Sequence, residues 1–162
     1  MIKHKIRVSV FGLVVTVILF FSGSAVTQSQ SLVLDPTPPQ TITDLKLTGI
    51  YPNGQAGLNW RAPYENSDDP TSGPAASYDL RYNLKTPLTD STWSRAAQVT
   101  DEPLPRAPGT VEIYILPNLT PGETYYVAIR SQDAAGNLSA LSNNLLVTIP
   151  EPLIVEPIVS LV

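Results

Sequence analysis

Glu65, Asn66, Asp68 and Asp69 place four oxygen-bearing side chains in one short segment after Trp60, and a hard cation such as calcium is held by oxygen ligands of this kind. Glu65, Asp68 and Asp69 are therefore the candidate metal loop. Their spacing does not follow the EF-hand pattern, and a solvated acidic loop is the competing reading. A second candidate chemistry is stacking. Trp93, Tyr126 and Tyr64 would form a sugar-binding face if exposed and coplanar, whereas large aromatics at period two ordinarily pack along a sheet.

Other chemistries are excluded by composition. The chain has no Cys, and its one His is His4, so disulfides, thiolate ligands, Cys–His catalysis and a Ser-His-Asp triad in the body are ruled out. Paired carboxylates exist, but no cleft is predicted in which they would hydrolyse a glycoside. No enzyme activity and no cofactor are expected. Stability must then come from core packing.

Lys3, His4, Lys5 and Arg7 precede the apolar run Val8–Phe21, and Gly23, Ser24 and Ala25 supply small residues for cleavage. This is the order of a secretory signal peptide, assigned to residues 1–25. The run is shorter than the about 20 apolar residues of a membrane span. Extended through Val26 it comes close, so an uncleaved anchor over residues 8–26 is the alternative to a secreted or cell-surface chain. Removing Lys3, Lys5 and Arg7 leaves 7 of the 10 basic residues against 14 acidic ones, a net charge of −7. Such a surface argues against nucleic acid and anionic membrane as partners.

The elements that must position these residues read as strands. Residues 26–38 are polar and then punctuated by Pro36 and Pro38, as in a tether. Ile42–Ile50 is the first strand, with Leu45 and Leu47 on one face. Asn53-Gly54 turns the chain into Gln55–Arg61, where Ala56, Leu58 and Trp60 face inward. After a long loop over residues 62–77, Tyr78, Leu80, Tyr82 and Leu84 alternate with Asp79, Arg81 and Asn83. Ser91–Thr100 is a further strand containing Trp93. In Thr110–Leu116 both parities are apolar, Val111, Ile113 and Ile115 against Tyr114 and Leu116, so alternation does not choose the inward face. Leu119, Pro121, Gly122 and Tyr125 form a corner that opens a strand with Tyr125, Val127 and Ile129 on one face. Asp133, Gly136 and Asn137 then form a turn, and Leu141–Ile149 is the last strand. Asn118-Leu119-Thr120 and Asn137-Leu138-Ser139 are sequons. The tail, 151–162, is proline-interrupted and apolar, a linker or flexible end.

Seven strands separated by turn signals predict an all-β, antiparallel, immunoglobulin-like sandwich with an N-terminal signal helix and disordered ends. Trp60, the Tyr78-x-Leu80-Arg81-Tyr82 strand, the Leu119-x-Pro121-Gly122-x-x-Tyr125 corner and the Asp133-x-x-Gly136-Asn137 turn occur in that order. Together they resemble a fibronectin type III domain over residues 39–150, in the variant found in bacterial exported and surface proteins. The resemblance implies that Tyr114 and Leu116 face the core, which leaves Val111, Ile113 and Ile115 as an apolar outer patch. It also implies a non-catalytic module acting in adhesion, in protein contact or as a spacer, with Trp93, Tyr126 and the Val111–Ile115 patch as the partner surface. The alternative is an accessory carbohydrate-binding module beside a secreted hydrolase.

Overall fold

The computed structural model describes residues 35–153 and, by backbone pairing alone, Ile6–Phe11, Val14–Phe21 and Ser24–Gln30. The chain divides into two compact units, Met1–Pro36 and Thr37–Val162. In the first, β1 (Ile6–Phe11), β2 (Val14–Phe21) and β3 (Ser24–Gln30) form a three-stranded antiparallel sheet in chain order. The sequence predicts a signal helix there. Strands take its place because Val8, Val10, Val14, Val15, Val17 and Ile18 are β-branched, which disfavours a helix and suits a pleated surface. Gly23 of the expected cleavage motif, and the tail from residue 154 onward, lie outside the described residues. Among the described residues no helix is long and apolar enough to cross a membrane.

The second unit is a two-sheet sandwich. One sheet has the order β10-β5-β4, built from β4 (Lys46–Tyr51), β5 (Gln55–Arg61) and β10 (Val111–Leu116). The other has the order β12-β11-β8-β9, built from β8 (Ser77–Leu84), β9 (Ala97–Gln98), β11 (Thr124–Gln132) and β12 (Leu145–Thr148). Every pairing is antiparallel. The inner faces interdigitate in one core: Leu58, Trp60, Tyr114 and Leu116 from the first sheet meet Leu80, Val127, Ile129 and Val147 from the second. Each such side chain contributes about 1.5–3 kcal/mol when fully buried. Trp60 stands edge-on to Tyr78, with ring centroids 5.2 Å apart.

Three elements depart from the expected outline. Leu45 and Leu47 share the inward parity, Leu47 opposite buried Leu58, but Leu47 is 37% exposed next to a bulge between Leu47 and Gly49, beyond which the inward parity passes to Ile50 opposite Ala56. The bulge breaks the two-residue period on which the sequence reading relied. The long loop over residues 62–77 contains a hairpin, β6 (Tyr64–Asn66) with β7 (Asp69–Pro74). The last strand is shorter than Leu141–Ile149 because side chains do the bonding before it. Ser139 Oγ and Ser142 Oγ accept the Ser131 and Ile129 amides, each at 3.0 Å. Asn143 then brackets Leu45, accepting its N–H at 3.1 Å and donating to its carbonyl at 2.8 Å. Asn144 does the same for Leu88, at 2.7 and 2.9 Å. Two adjacent carboxamides thus supply the ladder bonds of a missing strand on opposite sides of the chain.

Candidate functional site

The Leu119–Asn137 stretch is held by backbone-directed bonds. The Tyr125 hydroxyl accepts the Thr120 N–H at 3.0 Å, and its ring stands 5.9 Å from that of Tyr82. Gly122 has a φ of 81°, and a Cβ there would meet the Glu151 carboxylate. Pro121 precedes it, and buried Leu119 donates its N–H to the Gly54 carbonyl at 2.8 Å. At the far end, Asp133 Oδ1 accepts the Asn137 N–H at 2.8 Å and Oδ2 accepts from Asn137 Nδ2 at 2.7 Å, with Gly136 at a φ of 94°. These carboxylate oxygens are committed to the turn.

Trp93 is not on an exposed surface. It begins a short 3-10 turn, Trp93–Arg95, rather than lying in a strand, and only 8% of it is exposed. The guanidinium carbons of Arg81 and Arg130 each sit 5.1 Å from the ring centroid. Arg81 is held by a forked pair of bonds to Asp79, at 2.8 and 2.9 Å, and donates to the Trp93 carbonyl at 2.9 Å. Arg130 pairs with Asp90. Leu88, Ala96 and Ala128 pack with Trp93 in a second core on the outer side of the β8–β11 sheet, flanked by Tyr126 and Leu141. The ring is therefore closed off by two cations and cannot stack on a sugar. Tyr64 belongs to β6 and lines a different cleft, with Gln40, Asp44 and Arg61, so the three aromatics are not brought together.

The acidic segment is spread over a hairpin. Glu65 lies in β6, Asp69 opens β7, and Asp68 lies in the turn between them. Asp69 Oδ1 accepts both the Thr71 N–H, at 2.8 Å, and the Thr71 hydroxyl, at 2.6 Å. The Thr71 hydroxyl, and after it the Thr71 amide, hold the Asp69 carboxyl below the usual carboxylate range. Among the described residues no group of three or more His, Cys, Asp or Glu could hold a metal ion. The hairpin divides the loop, and the Thr71 amide and hydroxyl engage one oxygen of Asp69.

The Val111–Ile115 face is open. Tyr114 and Leu116 point into the core, while Val111, Ile113 and Ile115 are 41%, 64% and 39% exposed. On the same outer face their β5 neighbours are Arg61, Asn59 and Gly57. Gly57 is covered by Thr48 and the Tyr51 ring, which a Cβ would strike. Sequence reasoning missed Glu112, which shares the inward parity of Tyr114 and is 2% exposed. It accepts the Arg106 N–H and Nε–H, both at 2.8 Å. The signal was available, since an acid on the inward parity of an apolar strand requires a cation, and Arg106 stands nearby in the preceding loop. Burial lifts the Tyr78 and Tyr114 phenols above their ordinary range, and at Tyr114 the bond to Asp101, at 2.6 Å, adds to it.

No curated protein matches the chain. Among solved structures it is similar to domains A168 to A170 of titin, at 13% identity over 90% of this chain and 49% of that one, with a TM-score of 0.56. It is also similar to the FN1–FN3 domains of chicken CNTN1, at 15% identity over 85% of this chain and 40% of that one, with a TM-score of 0.50. The chain spans less than half of either, and at these identities the likeness is one of fold. The family model for the fibronectin type III domain matches residues 37–148. That match covers more than half of the chain and coincides with the two-sheet unit and its ordered corner, strand and turn: the chain belongs to the fibronectin type III family.

Proposed function

We propose that this chain is an exported, non-catalytic fibronectin type III module that works at the cell surface through protein contact. The observation carrying the reading is the apolar outer stripe of Val111, Ile113 and Ile115 on a sheet whose inner face is fully packed. An outer stripe of this kind adds nothing to the core and marks a surface made for contact. The polar groups elsewhere support the same reading, because Asp79, Asp133 and Glu112 are each bound to a neighbour in the fold. A basic start followed by the run Val8–Phe21 supports export, and the anionic balance suits a protein partner better than nucleic acid.

The test has two parts. Fractionation and protease shaving of intact cells expressing the tagged full chain should find the domain outside the cytoplasm. Photo-cross-linking from position 113 should then join it to a discrete protein. A chain confined to the cytoplasm overturns export, and discrete cross-links absent at every surface position overturn protein contact.

A further inference from the structure

Three of the four outer edges of the sandwich are blunted. β9 has two residues, β12 has four, and β4 carries the bulge between Leu47 and Gly49. Short or bulged edges resist pairing with another chain. β10 is different: six residues in unbroken register with β5, without Pro or Lys, and with no strand on its other side among the described residues. Ala62 donates to the Thr110 carbonyl at 2.8 Å, continuing the β10–β5 register by one pair. The even-numbered residues of β10 therefore bond toward β5, and the backbone groups of Val111, Ile113 and Ile115 point to the open side.

Two groups on that side are already spent. Arg106 bonds the Val111 carbonyl, and Pro117, the next residue of the same parity, has no N–H to donate. The amides and carbonyls of Ile113 and Ile115, the Val111 amide and the Pro117 carbonyl engage no other group among the described residues. One antiparallel register matches this pattern to a second copy of itself. With Tyr114 opposite Tyr114 of the second copy, Ile113 faces Ile115 and exchanges both bonds with it, and the reverse pair does the same. Val111 then faces Pro117. Its amide reaches the Pro117 carbonyl, and the donor that proline lacks falls opposite the carbonyl that Arg106 satisfies. A shift of one pair in one direction sets the Ile115 amide against that spent carbonyl. A shift in the other sets the Ile113 carbonyl against Pro117 and leaves it without a donor.

We propose that β10 pairs with β10 of a second copy of this chain, antiparallel and centred on Tyr114, joining the two β10-β5-β4 sheets into one sheet of six strands. On the outer face the two apolar stripes become continuous, with Ile113 beside Ile115 of the second copy and Val111 beside its Pro117. An edge of six residues makes a contact of the small, transient class rather than a permanent dimer. The anionic balance of each copy opposes the contact, so pairing tightens as salt screens the repulsion. This rests on the protein-contact reading above and names the partner for it.

The chain has no Cys, so a disulfide forms only where cysteine is introduced. Two differently tagged full chains, one Ile113→Cys and the other Ile115→Cys, are mixed and gently oxidised. Facing positions in the register stand about 5.5 Å apart between Cα atoms, within disulfide reach, whereas like positions lie diagonally at about 8 Å, outside it. The 113–115 disulfide should exceed the 113–113 and 115–115 products at least tenfold, and its yield should rise with salt. Sedimentation of the unsubstituted full chain should show a reversible monomer–dimer equilibrium. Ile113→Pro removes an N–H that β5 does not use, and should weaken that equilibrium at least tenfold with the melting temperature held. Should Ile113→Pro fail to fold, Ile115→Lys keeps the N–H, places a charge on the stripe and should weaken it as much. Equal yields of the three disulfides, a dominant like-position product, pairing that weakens with salt, or a monomer at every concentration reached would each overturn the proposal. If self-pairing fails while photo-cross-links from position 113 reach a different protein, protein contact stands and only the partner named here is wrong.

Discussion

Replacing Tyr125 with Phe removes one oxygen and little else. The ring keeps its edge-to-face contact with Tyr82 at 5.9 Å and stays in the core, so no cavity term arises. What is lost is the acceptor for the Thr120 N–H, held at 3.0 Å in a partly buried site. Leaving a buried donor without a partner costs about 1–3 kcal/mol. Thr120 itself is exposed, so water can reach part of the freed amide, and the loss should fall in the lower half of that range. For a domain of about 100 residues each kcal/mol moves the melting midpoint by about 4–8 °C. Paired urea and thermal melts of Tyr125→Phe and the parent chain measure this, with the slope of the urea transition unchanged. Cross-linking from position 113 should also be unchanged. A midpoint within 1 °C of the parent would show that the hydroxyl does not hold the corner. An unchanged midpoint with lost binding would make Tyr125 part of a site.

Glycine positions separate backbone collision from side-chain collision. Gly54 has a φ of 69°, and a Cβ there would run into the Leu119 carbonyl, whereas at Gly122, with a φ of 81°, it meets only the movable Glu151 carboxylate. Urea melts should show Gly54→Ala costing more than about 3 kcal/mol and Gly122→Ala about 1–2 kcal/mol; equal costs would refute the distinction. Trp93→Ala should cost about 3–5 kcal/mol by emptying the second core, and the chain should bind no polysaccharide in pull-downs. Millimolar calcium should leave the melting midpoint unmoved, because Thr71 occupies Asp69; a rise would restore the hairpin as an ion site.

The alternation in Tyr78–Tyr82 and Tyr125–Ile129, and the corner and turn between Leu119 and Asn137, were legible because each follows from local spacing. Period two places a face, and Pro-Gly and Asp-x-x-Gly-Asn place the turns. What escaped the sequence depends on groups far apart in the chain. Nothing local says that Asn143 brackets Leu45 or that Asn144 brackets Leu88, and those bonds end the last strand early. Trp93 looked like a strand residue because an aromatic among Ser, Thr and Ala fits a weak strand pattern. Its environment is set by Arg81 on β8 and Arg130 on β11, which only the pairing Ala128↔Arg81 brings near each other. The acidic loop misled for a similar reason, since carboxylates close in sequence are divided between two strands and their turn.

The two parities of β10 show why a strand whose faces are both apolar is ambiguous to alternation but not to the fold. Hydrophobicity cannot rank Tyr114 and Leu116 against Ile113 and Ile115. The acid decides, because Glu112 shares the parity of Tyr114 and is satisfied only where the Arg106 backbone and side chain converge on it. With Glu112 fixed inward, a slip by one residue would carry its carboxylate out and leave Arg106 without it, while placing Ile113 among the core side chains. Arg106 also bonds the Val111 carbonyl, so the group that fixes the register closes one end of the exposed edge. The same contact thus turns Val111, Ile113 and Ile115 outward and sets the residue that fixes the register at the Val111 end of the strand.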